Sequence, residues 1–388
     1  MPPATVTVSP RAVERIFNAH PWIYRSDIAA SPEIEPGTIV NVQDGRGRFL
    51  GQALYSSKSQ IALRFLTREK RPFDRAFLAG RIQAAAAYRR QVVQDSEAYR
   101  VVASEGDLLP SLIIDRYGEY LVVQTLSQGM EKLKSAIAEI LQEAFSPRGI
   151  LERNDVAVRS LEGLELIKGV LAGEPADEVV VTMNGLRFAF DLMEGQKTGG
   201  FLDQRENQKA AQSYAHGRAL DCFSYTGGFA LALSGRCDSV LAIESSEEAL
   251  RMAQRNAELN GASNIEWKQA NCFDFLKAVD QADDRFDVVV LDPPAFARQR
   301  SNLDSALRGY KELNLRALKI LNPGGYLITC SCSYHVTESD FLEAIASAAL
   351  DARRTVTVVE RRTQGRDHPI LLTVPETHYL KCLILRVL

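Results

Sequence analysis

The sequence is short of several things, and each shortage narrows the reading. No apolar run approaches the ~20 residues that a membrane-spanning helix needs, and Met1–Arg15 carries no hydrophobic signal core. The expectation is a protein with no membrane partner. Cysteine is scarce: six residues scattered singly over 388 build no disulfide framework, which points to a reducing cytoplasm. Internal repeats and low-complexity stretches are absent, so solenoid and linker readings fall away. Net charge is nearly absent too. The 46 basic and 49 acidic residues leave −3, which at face value argues against a nucleic-acid partner. What is present is ordinary for a folded globular protein: 46% apolar and 24% charged residues. At about 150 residues per domain the length suggests two or three domains.

The charge is unevenly spread. Residues 46–90 hold 11 basic and 2 acidic side chains, a local balance of +9. Local charge density, not the whole-chain sum, sets attraction to a phosphate backbone. Arg46, Arg48, Lys58, Arg64, Arg68, Lys70 and Arg71 are the candidate RNA contacts. A solvated basic face is the plainer reading of the same run.

To about Lys70 the pattern is short strands with turns. Thr38–Gln43 and Phe49–Tyr55 flank Asp44-Gly45-Arg46-Gly47, a hairpin signal, and Ile61–Leu66 alternates. A small β-barrel fits. A helical pattern follows from Phe73 to about Val93. Strands over Arg100–Ala103, Leu112–Asp115 and Tyr120–Thr125, a helix over Glu131–Phe145 and a strand over Gly149–Arg153 form an α+β module. From about Asn184 apolar strands (Arg218–Phe223, Ser239–Ile243, Ile265–Gln269, Phe286–Leu291, Gly325–Cys330) alternate with helical segments. That rhythm predicts a doubly wound, mainly parallel α/β sheet. Its ligands belong at the carboxyl ends of the strands.

Four strand ends in order carry polar residues suited to one nucleoside-like ligand. Asp221 ends the first and runs into Phe223-Ser224-Tyr225-Thr226-Gly227, a turn that lets backbone approach a ligand. Glu244 ends the second, where a carboxylate can accept both hydroxyls of a ribose. Asn271 follows the third, placed for an adenine edge, and Asp292-Pro293-Pro294-Ala295-Phe296 ends the fourth. Each has a bland alternative as a cap or turn. Together they resemble a class I S-adenosylmethionine-dependent methyltransferase. Upstream, Asp203 could cap a helix with Glu206, leaving Gln204 and Arg205 in its first turn; an arginine fork suits a carboxylate.

The fifth strand ends in Thr329-Cys330-Ser331-Cys332-Ser333. No further Cys/His cluster stands at ligand spacing, so no metal is expected. Two inert buried thiols are one reading. The other is nucleophilic: a thiolate added at carbon 6 of a pyrimidine makes carbon 5 enamine-like, and Asp292 is the natural group to assist at ring nitrogen 3.

F-L-D-Q-R (201–205), C-F-S-Y-T-G-G-F, D-P-P-A-F and T-C-S-C-S together resemble the bacterial 23S rRNA 5-methylcytosine methyltransferases of the large-subunit methyltransferase I type. H-P-W (20–22), Y-S-S-K-S-Q-I (55–61), G-D-L-L-P (106–110) and N-D-V-A-V-R (154–159) extend the resemblance over nearly the whole chain. It implies a PUA barrel over 1–72, a middle α+β domain over 73–183 and a catalytic domain over 184–388 with a Rossmann-like, seven-stranded sheet. It also implies S-adenosyl-L-methionine as cofactor, 23S rRNA or the large subunit or its precursor as partner, and a homodimer. Cys332 takes the nucleophile's position; Cys330 is then extra, either structural or a helper in removing the carbon 5 proton. Tyr334-His335 departs from the small residue that often follows S-C-S. The rival activities are methylation of a guanine amino group, which the cysteine disfavours, and a catalytically silent rRNA-binding protein, which the cofactor residues disfavour.

Overall fold

The computed structural model describes residues 3–388 except Asp177 and Arg298, and the main chain alone at Arg300. The chain divides into two compact units. One is built from Met1–Val181, Phe190–Leu202 and Arg366–Thr377, the other from Thr182–Ala189, Asp203–Gly365 and His378–Leu388.

In the first unit a six-stranded sheet has the order Trp22–Tyr24, Ile61–Thr67, Phe49–Tyr55, Ile39–Gln43, Thr5–Val8, Ile28–Ala30. The expected hairpin is present, and Asp44 Oδ1 closes its turn by accepting the Arg46 and Arg48 amides, each at 2.9 Å. Side-chain alternation in these strands serves two cores at once. Ala53, Leu63 and Phe65 face Val6, Ile16, Ile23 and Val40 within the sheet's own core. Leu54 and Leu66 face the other way, against Leu78 and Ile82 of the helix Arg75–Val92 and against Val123 and Ile150. Those last residues belong to a five-stranded sheet ordered Ile167–Gly173, Gly149–Asn154, Tyr120–Thr125, Leu112–Tyr117, Ala98–Ala103. This shared core joins the barrel strands and the α+β module into one unit.

Two expectations are corrected here. The helix expected over Glu131–Phe145 is two, Gln128–Lys132 capped by Ser127 and then Lys134–Phe145, parted at Leu133. Arg64, expected at an RNA surface, is buried: its guanidinium donates to Glu162 Oε1 at 2.8 Å, and Ser56 Oγ donates to the other carboxylate oxygen at 2.7 Å. The reason is strand alternation, which turns Arg64 inward onto a carboxylate 98 residues away. Arg46, Arg48, Lys58, Arg68, Lys70 and Arg71 are exposed.

The second unit contains the expected seven-stranded sheet. Its strands are β1 (Arg218–Cys222), β2 (Ser239–Glu244), β3 (Ile265–Gln269), β4 (Phe286–Leu291), β5 (Leu321–Ser331), β6 (Val356–Arg362) and β7 (Lys381–Val387). The order is β3-β2-β1-β4-β5-β7-β6. The first five are parallel, and β7 is antiparallel to both of its neighbours. Helices α1 (Arg205–Ala211), α2 (Gly228–Ser234), α3 (Glu247–Asn260), α4 (Cys272–Gln281), α5 (Leu303–Ile320) and α6 (Glu338–Asp351) accompany it. Val288–Leu291 of β4 are fully buried, as the central strand of a two-sided sheet requires. No helix among the described residues is long and apolar enough to cross a membrane.

Candidate active site

The carboxyl ends of β1 and β2 are tied together by one loop. After β1 the chain passes through Phe223 (φ +64°), Tyr225 (φ +49°) and Gly227 (φ +87°), all left-handed. A side chain at Gly227 would also sit 2.8 Å from the Trp267 ring, so only glycine fits there. Non-glycine residues in this region store strain that the surroundings must hold. The restraint is visible: Ser224 N–H donates to the Ile243 carbonyl (3.0 Å), Phe223 N–H to Cys272 Sγ (3.2 Å) and Tyr225 N–H to Glu244 Oε2 (2.9 Å). Asn256, fully buried on α3, donates to the Thr226 carbonyl at 3.0 Å.

Asp221 lies beneath the loop. Its Oδ2 accepts Ser224 Oγ–H (2.7 Å) and Ala230 N–H (2.9 Å), while its Oδ1 has no partner. Burial pushes its pKa up to about 7, with the Asp292 and Glu244 charges adding to the shift. Glu244 is fixed by its Oε1, which accepts the amides of Ser245 (2.7 Å) and Ser246 (2.9 Å), leaving Oε2 spare capacity beyond Tyr225 N–H. An orphaned buried carboxylate oxygen and a half-used carboxylate on adjacent strands fit a ligand that brings hydroxyl or cationic groups. This donor-poor, acceptor-rich cradle suits the ribose and sulfonium of S-adenosylmethionine.

Asn271 is placed differently from the expectation. It caps α4, its Oδ1 accepting Phe273 N–H (2.9 Å) and Asp274 N–H (3.4 Å). That commits the oxygen to the helix and leaves the amide nitrogen as the group to meet a ligand. The capping role expected of Asp203 is not observed: the residue before α1 is Gln204, and Asp203 Oδ2 accepts Tyr379 O–H at 2.8 Å. Arg205 opens α1 but its side chain is buried, 3.7 Å from Glu206 Oε1. Gln204 Nε2 donates to Asp292 Oδ1 (2.8 Å), and Asn207 Nδ2 donates to Gln204 Oε1 (2.7 Å). Gln204 thus orients Asp292.

Cys332 lies just beyond β5, its Sγ 3.8 Å from the Pro293 carbonyl at the end of β4. Of the six free cysteines it alone is not buried. Cys330 is fully buried, and its thiol is pushed well above the usual range by a contact with Cys382 and by burial. It therefore stays protonated and inert. Three functional groups here escape sequence reading. Ser333 Oγ accepts Phe296 N–H (3.0 Å) and Ala297 N–H (3.2 Å) and meets Tyr310 Oη at 2.9 Å, which binds the loop after β4 to the end of β5. Lys381, at the start of β7, donates to the carbonyls of Ser333 (2.7 Å) and Tyr379 (3.0 Å) and is buried. Burial pulls its pKa down to about 8, opposed chiefly by the charge of Cys332. Asn256 is the third. Nothing local in the sequence marks them, because each acts on a loop distant along the chain. His335 is next to Tyr334, its ring edge-on at 5.0 Å. Among the described residues no His/Cys/Asp/Glu group is arranged to hold a metal ion.

The comparisons agree with this geometry. A PUA-like domain model matches residues 6–68, and an S-adenosylmethionine-dependent methyltransferase model matches residues 122–386. A ribosomal RNA large subunit methyltransferase I of Klebsiella pneumoniae is 41% identical over 96% of both chains, and that of Tolumonas auensis is 40% identical over 99% of both. Among solved structures, the methyltransferase SMU.776 complexed with SAH superposes with a TM-score of 0.86 over 99% of this chain and 100% of its own, at 20% identity. A chain described as a SAM-dependent methyltransferase of Streptococcus mutans gives 0.83 over the same shares, at 20% identity. These two likenesses show the fold. With two-fifths of its residues shared over nearly its full length, the chain belongs to the ribosomal RNA large subunit methyltransferase I family of S-adenosylmethionine-dependent methyltransferases.

Proposed function

We propose that this enzyme methylates carbon 5 of a cytosine in 23S rRNA through a covalent bond between Cys332 Sγ and carbon 6 of the base. The observation that carries the reading is that Cys332 alone of six cysteines is accessible, at the strand end beside Asp292. The Lys381 ammonium, bonded to the neighbouring residue, favours the thiolate. The relatives are large-subunit ribosomal RNA methyltransferases, which points to that RNA, and the basic run of the first unit suits its phosphates.

S-adenosylmethionine, when bound, supplies an electrophilic methyl group, and the carboxylates of Asp221 and Glu244 and the loop Phe223–Gly227 are the groups that would hold it, with Gln204, Arg205 and Asn271 around them. The target cytosine must leave its stack or already be unpaired to enter. Asp292, oriented by Gln204, hydrogen-bonds at ring nitrogen 3 as the Cys332 thiolate adds at carbon 6. The electrons released onto carbon 5 would take the methyl group as its bond to the sulfonium sulfur breaks, the electron pair of that bond staying on the sulfur. Transfer of the carbon 5 proton to a water molecule then sends the C–H electrons into the ring, expels the thiolate by elimination and restores the aromatic ring.

The test is to incubate unmodified large-subunit rRNA with enzyme and S-adenosylmethionine and to map methylated nucleosides by mass spectrometry. 5-Methylcytidine is expected with the wild type and with Cys330→Ala, and none with Cys332→Ala. Methylguanosine in its place, or activity surviving Cys332→Ala, overturns the reading.

A further inference from the structure

The catalytic chemistry leaves two motifs unused, H-P-W at 20–22 and G-D-L-L-P at 106–110, and the first unit brings them to one cavity. Trp22 Nε1–H donates to Glu105 Oε1 at 2.9 Å, bridging 83 residues of sequence. The space between has a volume of about 260 Å³ and is lined in part by His20, Phe65, Arg68, Arg81, Glu105 and Leu108. That is below the roughly 300–1,000 Å³ of cavities enclosing drug-sized ligands, so its guest is about one ring system. Two non-glycine residues on its wall, Ala19 (φ +61°) and Leu108 (φ +57°), are held in the left-handed region. Backbone strain on both sides of one cavity indicates that the wall is held for a purpose.

Its chemistry is amphipathic. Exposed Leu108 offers an apolar face, with Pro21 and Pro110 beside it. Glu105 is a fixed acceptor, with Ser104 Oγ donating to Oε2 at 2.5 Å and each oxygen retaining capacity. The cations are unequally served: Arg71 pairs with Glu69, itself on the cavity wall, at 2.9 Å. Arg81 forms no ion pair among the described residues and shares the Phe77 ring with Arg71, their guanidinium carbons 5.2 and 4.3 Å from its centre. Burial and the Arg71 charge depress its pKa against the opposing charge of Glu69, and an incoming anion would raise it further. Arg68, exposed at the rim, continues into Lys70 and Arg71.

We propose that this cavity takes one unpaired nucleotide of the bound RNA, the base against Leu108, Pro21 and Pro110 with an exocyclic amino group donating to Glu105, and the phosphate on Arg81 and Arg68. A carboxylate acceptor selects the amino-bearing bases cytosine, adenine and guanine over uracil. The inference rests on the enzyme's acting on RNA.

Fluorescence anisotropy with the full chain and labelled single-stranded octamers of cytidine, adenosine and uridine tests it. The wild type is expected to bind the cytidine and adenosine octamers at least about tenfold more tightly than the uridine octamer, in line with one hydrogen bond to a charged group. Glu105→Gln, which keeps an oxygen for Trp22, should remove the preference. Arg81→Gln should weaken all three alike and lower the slope of log K against log salt by about 0.7. Leu108→Trp, at a side chain 44% exposed and so safe for folding, should fill the cavity and weaken binding at least tenfold. Wild-type and variant profiles that coincide overturn the cavity proposal. So does a wild type that methylates rRNA yet binds none of the octamers. A wild type that neither binds octamers nor methylates rRNA overturns the functional reading beneath it.

Discussion

Lys381 Nζ donates to the Ser333 carbonyl oxygen at 2.7 Å, reaching from an antiparallel strand to the residue directly after Cys332. A buried ammonium beside a partly exposed thiol lowers the thiol's pKa. Lys381→Met keeps the side chain's length and removes the charge. Iodoacetamide alkylation of Cys332, the one accessible thiol, should shift its pH midpoint upward, with a rate at pH 7.5 about tenfold lower, the equivalent of one pKa unit. An unchanged profile assigns Lys381 to holding the Ser333 carbonyl alone.

Asp221 makes stability fall with pH. Its folded pKa is raised from 3.8 to about 7, so between those values the folded chain holds a proton that the unfolded chain has lost. The contribution is intact below about pH 4 and is lost as pH rises through 7. Asp221→Asn removes the dependence. Thermal melts of the cofactor-free proteins should show the variant gaining several degrees on the wild type between pH 4.5 and 8, at ~2–4 °C per kcal/mol. Calorimetry should show its S-adenosylmethionine affinity at least tenfold lower, because a charge-assisted contact is gone.

Ser333 positions the loop after β4 through the amides of Phe296 and Ala297. Ser333→Ala leaves two amides and a tyrosine hydroxyl without their shared oxygen, at about 1–3 kcal/mol for each donor left buried and unpaired. Turnover should drop tenfold or more while KM for S-adenosylmethionine stays within twofold, and Ser333→Thr should restore part of the rate. A KM effect as large as the turnover effect contradicts a positioning role.

Arg64 and its exposed neighbours should separate cleanly. Arg64→Ala strands the buried Glu162 carboxylate and should cost about 3–5 kcal/mol in chemical denaturation. Arg46→Ala and Lys58→Ala should change stability by under about 0.5 kcal/mol and should instead reduce rRNA affinity and its salt dependence. Equal stability losses in all three variants contradict this division.

Those contrasts mark what a sequence can and cannot tell. The strand ends at Asp221, Glu244, Asp292 and Cys332 were legible because a parallel sheet needs apolar runs, and its function collects where each run stops. Their order alone pointed to the face on which the cofactor site is proposed. Arg64 was misread because position in a basic run says nothing of strand facing, and its partner Glu162 is remote in sequence. Lys381 and β7 were missed for a related reason: Cys382–Leu385 is an apolar run with no helix beside it, added antiparallel to β5 rather than in the strand–helix rhythm. Asn256 sits mid-helix in an otherwise amphipathic pattern, where its bond to Thr226 leaves no local trace. The Asn271 cap shows the opposite limit, since a helix start and a ligand contact call for the same residue type.

The division of the chain into interleaved units has a consequence for its synthesis. Arg89, fully buried in the first unit, donates to the Asp367 carbonyl at 2.7 Å, and the Arg100 amide donates to Asp367 Oδ2 at 2.9 Å. At ~5–20 residues per second, a ribosome needs roughly 10–40 s after finishing residue 181 to make residues 366–377. Through that interval the nascent first unit lacks the strap that completes its polar core. Its last step of folding is therefore timed to the arrival of nearly the whole polypeptide.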